Sequence, residues 1–91
     1  MITLKIPMSL KKYTNNVHVL EMDDVDDIDT LLCVLVDQHP LLKTKIFSQT
    51  GQLHHFINVF IDGKNMRHLS GEKTKLDTRS TVTLVAAIAG G

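Results

Sequence analysis

The chain has 91 residues, of which 43% are hydrophobic and 22% are charged. This composition is typical of a globular protein, and so short a chain can bury only one hydrophobic core, which excludes a second domain. The ten basic residues balance the ten acidic residues, so no net charge favours nucleic acid, an anionic membrane or an acidic substrate as a partner.

The single cysteine, Cys33, excludes an internal disulfide and fits a reducing compartment. No stretch approaches the roughly 20 apolar residues that span a bilayer, and residues 1–13 lack a continuous apolar stretch of signal-peptide length. We therefore expect a cytoplasmic protein.

Two strands are predicted near the N-terminus. Ile2, Leu4 and Ile6 alternate with polar residues, which is typical of a strand with one buried face, and Pro7 closes it. Residues 9–16 are polar and predict a turn. A weaker alternation over residues 17–22 predicts a second strand, so the two strands are expected to form a hairpin.

The spacing of apolar residues changes to a helical period after an acidic stretch. Asp27, Asp29 or Thr30 can cap the first turn of the predicted helix, and Pro40 ends it at His39. The residues that make the apolar stripe are Ile28, Leu31, Leu32, Leu35 and Val36.

The second half of the chain reads as strands joined by turns. Residues 41–51 form a connection with room for a short turn of helix. The clearest strand follows, with Ile57, Val59 and Ile61 facing one way, and the Asp62-Gly63 pair ends it as a turn. Residues 66–69 are predicted as a short return strand, 70–80 as a loop and 81–85 as the last strand.

This order of elements predicts an α+β domain, in which a mixed sheet of four to five strands packs on one main helix. It is the order of the β-grasp, or ubiquitin-like, architecture. We expect a single β-grasp domain over residues 1–91, with 86–91 as an extended, flexible C-terminal tail.

Two stretches, FINVFIDGKNMRHLSGEKT and VTLVAAIAGG, resemble the ThiS/MoaD-type ubiquitin-like sulfur carrier proteins, nearest to the branch that serves cysteine or related amino-acid biosynthesis. The family pattern matches the strand 56–62, Arg67, Gly71 and a last strand that runs into Gly90-Gly91. The resemblance covers most of residues 53–91 and, more loosely, the start of the helix at Asp29-Thr30-Leu31.

The resemblance implies a protein cosubstrate rather than an enzyme. A ubiquitin-activating-like adenylyltransferase would use ATP to adenylate the Gly91 carboxylate, and a sulfur donor would then displace AMP and leave a thiocarboxylate. An acceptor synthase would bind the same tail. The carrier itself would supply no catalytic side chain, bind no cofactor or metal, contact neither nucleic acid nor membrane, and be a monomer when free.

The tail suits this chemistry on physical grounds as well. Glycine lets the backbone thread where a Cβ would collide, and residues 87–91, which are Ala87, Ile88, Ala89, Gly90 and Gly91, would project about 17 Å if extended. A tail of that reach can enter a deep cleft of a partner.

The partner-binding surface is expected beside this tail. Phe56, Asn58 and Phe60 alternate with the buried face of their strand, so they predict an apolar patch on the open side of the sheet. Arg67 and Val85 complete the predicted surface. In the alternative arrangement, the connection over residues 41–53 folds over the two aromatic side chains.

Neither the five histidines nor the acidic stretch predicts a metal site. The adjacent His54 and His55 point to opposite faces of a strand, and the other histidines have no ligand spacing. The aspartates of residues 23–29 lack the glycine and terminal glutamate of a calcium loop. Cys33 lies in the apolar helix with no His or acid at a motif spacing, so it is not expected to be a nucleophile.

Other functions stay open at this point. The same tail would serve a ubiquitin-like modifier conjugated to other proteins through Gly91, or the small subunit of a molybdopterin synthase. A β-grasp subunit with no tail chemistry would be indifferent to changes at Gly91.

Overall fold

The structure is a computed structural model, and it describes residues 1–86. Its sheet has five strands in the spatial order β2-β1-β5-β3-β4. The strands are β1 (Ile2–Lys5), β2 (Val19–Met22), β3 (Ile57–Ile61), β4 (Lys64–Asn65) and β5 (Thr81–Ala86), and the α-helices are α1 (Ile28–Gln38) and α2 (Lys43–Ile46).

The predicted N-terminal hairpin is confirmed, because β1 and β2 pair antiparallel from Ile2 opposite Met22 to Lys5 opposite Val19. A turn was predicted at residues 9–16, but Met8–Thr14 forms a 3₁₀ helix instead. Leu10 and Thr14 are buried there, and the Thr14 hydroxyl donates to the Lys11 carbonyl at 3.0 Å. Two buried side chains thus fix a segment that is polar on average.

Helix α1 covers the inner face of the sheet with its apolar stripe. Of that stripe only Val36 keeps partial exposure. The predicted cap is Asp27, whose Oδ1 accepts a hydrogen bond from the Thr30 N–H at 2.8 Å. Cys33 lies on the exposed side of the helix. The connection that follows α1 contains the expected helical turns, a 3₁₀ turn at Pro40–Leu42 and then α2.

The hairpin of β3 and β4 differs from its prediction in register. Asp62 and Gly63 both have positive φ, 51° and 87°, as a two-residue hairpin turn requires. Ile61 pairs with Lys64 directly after this turn, so the return strand begins at Lys64, and the prediction of a strand at residues 66–69 is wrong. Met66–His68 is instead a 3₁₀ turn that buries Met66.

Strand β5 lies in the middle of the sheet, parallel to β1 and antiparallel to β3. It is one residue longer than predicted, because Ala86 pairs with Ile57 and so belongs to the strand rather than to the tail. Within the predicted loop of residues 70–80, Gly71–Lys73 forms a further 3₁₀ turn.

One core lies between the sheet and α1. It draws on β1, β3 and β5 and on helices α1 and α2, and its fully covered side chains include Leu4, Leu35, Ile46, Val59 and Val82.

Candidate partner-binding surface at the tail exit

The end of β5 at Ala86 is the last described position before the predicted tail, and we call it the tail exit. Because β3 runs antiparallel to β5, the tail exit lies beside Ile57, where β3 begins. The predicted reactive residues Gly90 and Gly91, and the predicted tail residues Ala87, Ile88 and Ala89, lie outside the described residues.

One face of the sheet points away from the core, on the side opposite to α1. This face extends over all five strands, because residues that pair directly on neighbouring strands have their side chains on the same side of the sheet. We call the part of it nearest the tail exit the outer sheet face, and the residues of that part are Lys5, Val19, Asn58, Phe60, Asn65, Thr83 and Val85.

Three predicted partner-binding residues meet on the outer sheet face. Asn58 pairs directly with Val85, and Phe60 pairs with Thr83 on one side and Asn65 on the other. Val85 is 39% exposed, whereas Asn58 and Phe60 are half-buried. The face is therefore a mixed surface with a central aromatic ring.

Phe56 is placed differently, at the edge of this face next to the tail exit. The His54 ring stacks on the Phe56 ring with 4.8 Å between centroids, and the His55 ring meets it edge-on at 6.0 Å. The His54 Nε2 lies 3.2 Å from the Thr44 carbonyl oxygen, which ties this stack to α2. Phe56 is thus partly covered by its own neighbours in sequence.

Arg67 reaches the same edge from the turn after β4. Its backbone N–H donates to Asn65 Oδ1 at 2.9 Å, and its Nη2 donates to the His55 carbonyl at 3.2 Å. The guanidinium keeps further donors for a carboxylate of a partner. The structure therefore places Asn58, Phe60 and Val85 together on one sheet face, with Phe56 and Arg67 at its edge near the tail exit. Their role in binding stays a prediction.

The sequence prediction missed four neighbours on this face. They are Lys5, Val19, Asn65 and Thr83, which share a row with Phe60 across the sheet. For Asn65 the signal was present, because a two-residue Asp62-Gly63 turn fixes its pairing with Phe60. The other three depend on the order of strands in the sheet, which periodicity does not give.

Two further properties concern residues 1–86. Within them, no three His, Cys, Asp or Glu side chains are grouped so as to hold a metal ion. No helix in the same range has the length and apolar character to cross a membrane.

Asp27, at the end of the molecule opposite to the tail exit, has a shifted pKa. The Thr30 backbone N–H, then the Thr30 side chain and then Lys75, lower the pKa of the Asp27 carboxyl below its usual value. The carboxylate therefore acts as a charged helix cap at neutral pH.

Known proteins with similar sequences include sulfur carriers. No family model matches the chain. A protein of Archaeoglobus fulgidus, named as a proposed sulfur carrier, is 36% identical over 47 residues, which are 52% of this chain and 53% of that protein. The sulfur carrier protein CysO of Mycobacterium tuberculosis is 24% identical over 99% of this chain and 98% of its own. The chain thus spans about half the length of the first relative and nearly all of the second.

Solved structures share the whole fold. The crystal structure of the BexX/CysO complex of Amycolatopsis orientalis matches with a TM-score of 0.87 and 24% identity, over 100% of both chains. The small archaeal modifier protein 1 of Methanosarcina acetivorans matches with a TM-score of 0.83 and 29% identity, over 99% of this chain and 95% of that one. The predicted β-grasp, ubiquitin-like fold is confirmed, and along nearly its full length the chain is similar to a sulfur carrier protein.

Proposed function

We propose that this protein is a sulfur carrier that donates sulfur from a thiocarboxylate at Gly91, in the biosynthesis of cysteine or a related amino acid. The observation that carries the proposal is the match to CysO over 99% of the chain. The names of both curated relatives are those of carriers, which supports the prediction that the protein is a cosubstrate and not an enzyme.

The proposed chemistry has two steps, both in the cleft of an activating enzyme. A Gly91 carboxylate oxygen attacks the α-phosphorus of ATP, which forms the acyl adenylate and releases pyrophosphate. A donor that supplies sulfur at the oxidation level of hydrosulfide then attacks the acyl carbon. The C–S bond forms, the C–O bond to AMP breaks, and AMP and one proton leave.

In both steps the carrier positions the Gly91 carboxylate. β5 pairs with β1 as far as Thr83 and with β3 as far as Ala86, so the tail would start from a strand end that β3 holds next to Phe56. Holding reactants in a fixed geometry is a large source of rate enhancement. We propose that the activating enzyme and the acceptor synthase both grip the outer sheet face while the tail occupies their clefts.

A specific observation favours a second function, conjugation to other proteins as a modifier. The small archaeal modifier protein 1 is more similar in sequence, at 29% identity, than the CysO chain in the solved complex, at 24%. Both functions begin with the same adenylate at Gly91. They diverge when either a sulfur donor or a lysine amine attacks the acyl carbon.

Deleting Gly91 should abolish adenylation and leave thermal stability nearly unchanged. The shorter tail withdraws the carboxylate by about 3.5 Å, outside the roughly 3 to 3.5 Å range of a near-attack geometry. Extending the chain beyond Gly91, or Gly90→Val, should fail in the same way, because each fills space that the cleft keeps for bare backbone. The measurement is pyrophosphate release with ATP and the activating enzyme of the same organism.

Thr78→Val is a control for Gly90→Val, because it also introduces a valine, at an exposed position far from the tail exit. Intact mass should show that the wild-type chain ends at Gly91 and exchanges one terminal oxygen for sulfur. Normal pyrophosphate release from the Gly91-deleted protein would contradict both the carrier and the modifier. Isopeptide conjugates without any thiocarboxylate would favour the modifier.

A further inference from the structure

The fold separates the charges that the sequence balances. Among residues 1–86, six of the ten cationic side chains lie in the half that contains the tail exit, and Asp37 is the only side-chain carboxylate of that half. The six cationic residues are Lys5, Lys11, Lys12, Lys43, Lys45 and Arg67. The far half has the other four cations and nine carboxylates, which are Glu21, Asp23, Asp24, Asp26, Asp27, Asp29, Asp62, Glu72 and Asp77.

Strand directions produce this separation. β1 and β5 are parallel, so Lys5 and the 3₁₀ helix of residues 8–14 follow β1 at the same end as the tail exit. α2 joins them there, because the Ile46 carbonyl accepts from the His54 N–H at 2.8 Å. β2 and β3 run the opposite way, and the acidic stretch of residues 23–29 follows β2 at the far end.

Two lysine ammonium groups lie near one aromatic ring, and two further lysines lie on the same two helices. The Nζ atoms of Lys12, in the 3₁₀ helix, and Lys45, in α2, each lie 5.3 Å from the centroid of Tyr13. Lys11 and Lys43 flank them on the same two helices. We call these four residues and Tyr13 the lysine cluster.

The described contacts give the lysine cluster no carboxylate. Among residues 1–86 the ion pair is Lys75 with Asp27 at 4.0 Å, in the far half. Like charges that converge on one site repel one another and disfavour the compact state. Contact with the Tyr13 ring offsets part of that repulsion, and carboxylates of a partner would offset the rest.

We infer that the lysine cluster is a docking surface for an acidic surface of a protein partner, and that it turns the carrier so that the tail exit meets the partner first. The inference rests on the proposed function in one respect: the partner is the activating enzyme that receives the tail. Because the molecule measures 32 × 26 × 23 Å and charges are screened over about 8 Å at physiological salt, a partner at one end experiences mainly the charge of that end.

Nucleic acid fits the cluster less well than protein. Tyr13 is half-buried with an ammonium group near its ring, so the ring is not free to stack on bases as single-strand binding proteins require. The acidic far half would also repel a phosphate backbone that extended past the cluster.

The test is a pair of double charge reversals with equal net charge. Lys12→Glu with Lys45→Glu removes the centre of the cluster, and Lys64→Glu with Lys73→Glu makes the same change at exposed positions in the far half. Stopped-flow mixing with the activating enzyme measures the association rate constant. At about 0.1 M salt, where charges are screened over about 10 Å, the first variant should associate at least tenfold more slowly than the wild type. The second should associate at most about twofold more slowly, and about 1 M salt should remove the difference.

Equal association rates for the two double variants, with normal adenylation of the wild type, would overturn the docking surface and leave the proposed function standing. If the wild type is not adenylated at all, the proposed function fails, and amide shifts in nuclear magnetic resonance spectra test the cluster with a short polyglutamate peptide and with oligothymidylate. Shifts confined to residues 11–13 and 43–45 with the peptide support the surface. Shifts spread over both halves, no shifts, or a stronger response to oligothymidylate would overturn it.

Discussion

Phe60 is the aromatic centre of the outer sheet face, between Thr83 and Asn65. Its ring is half-buried by the neighbouring strands, so part of it stays available while its position is fixed by the sheet. A rigid, partly exposed aromatic side chain loses little conformational entropy when a partner covers it, and such side chains often dominate binding energy. Phe60 is therefore the residue on which we expect binding at this face to depend most.

Phe60→Asp should weaken binding to the activating enzyme about thirtyfold, which corresponds to about 2 kcal/mol for a buried aromatic anchor. Isothermal titration measures the affinity, and circular dichroism checks the fold. Because Phe60 is half-buried, Val85→Asp repeats the test at a position that is 39% exposed. Thr78→Asp, at an exposed position in the far half of the molecule, should bind normally. Wild-type affinity for both face variants with an intact fold would exclude this surface.

The Asp27 side chain caps the N-terminus of helix α1. The Asp27 carboxylate satisfies the Thr30 N–H, and its charge favours the positive end of the helix dipole. Its backbone also bridges to Lys75, so the cap joins the helix to the segment before β5.

The lowered pKa of Asp27 predicts a pH-dependent contribution to stability. A carboxyl with a folded pKa below its unfolded value of about 3.9 stabilises the fold above that value and loses this contribution as the pH falls through the folded pKa. Asp27→Asn keeps a capping oxygen without a charge. The wild type should therefore melt above Asp27→Asn at pH 6 and lose that advantage on acidification below about pH 4.

Thermal denaturation between pH 6 and pH 2 measures this difference. Asp27→Ala, which removes both the cap and the charge, should melt below Asp27→Asn throughout. A constant gap between the wild type and Asp27→Asn over the whole range would show that the charge contributes nothing.

The elements differ in how far their sequence determines them. β3 and α1 were predicted because their periods of 2 and 3.6 reflect a single buried face. The 3₁₀ helix at Met8–Thr14 was not, since only Leu10 and Thr14 anchor it and two positions make no period. β4 was misplaced because its two residues are set by the Asp62-Gly63 turn rather than by an apolar pattern.

At the scale of the whole molecule, the same distinction applies to the candidate site. Asn58 and Phe60 were predicted together because alternation on β3 gives their side of the sheet. The lysine cluster was not, because Lys12 and Lys45 are far apart in sequence and converge only through the packing of two short helices on Tyr13. A net charge of zero conceals the separation that the topology creates.

The sulfurated protein as a whole should convert an activated serine or homoserine derivative into the corresponding thiol amino acid with a suitable synthase. The reason is the similarity to CysO along the full chain, together with a thiocarboxylate sulfur that is nucleophilic towards an activated carbon. Mass spectrometry of the amino-acid product measures the conversion, and the unsulfurated protein is the control. Restoration of a molybdopterin synthase large subunit, with no product from any amino-acid synthase, would assign the other branch.

The central position of β5 has a mechanical consequence. A partner that draws on the tail pulls along a strand that is hydrogen-bonded to β1 on one side and to β3 on the other. The load would then fall in shear on the β1 ladder at residues 81–83 and on the β3 ladder at residues 82–86, whereas a hairpin that is pulled at its end opens one bond at a time. A protein held by its C-terminal segment, as the proposed function requires, would thus be held through a central strand rather than an edge strand.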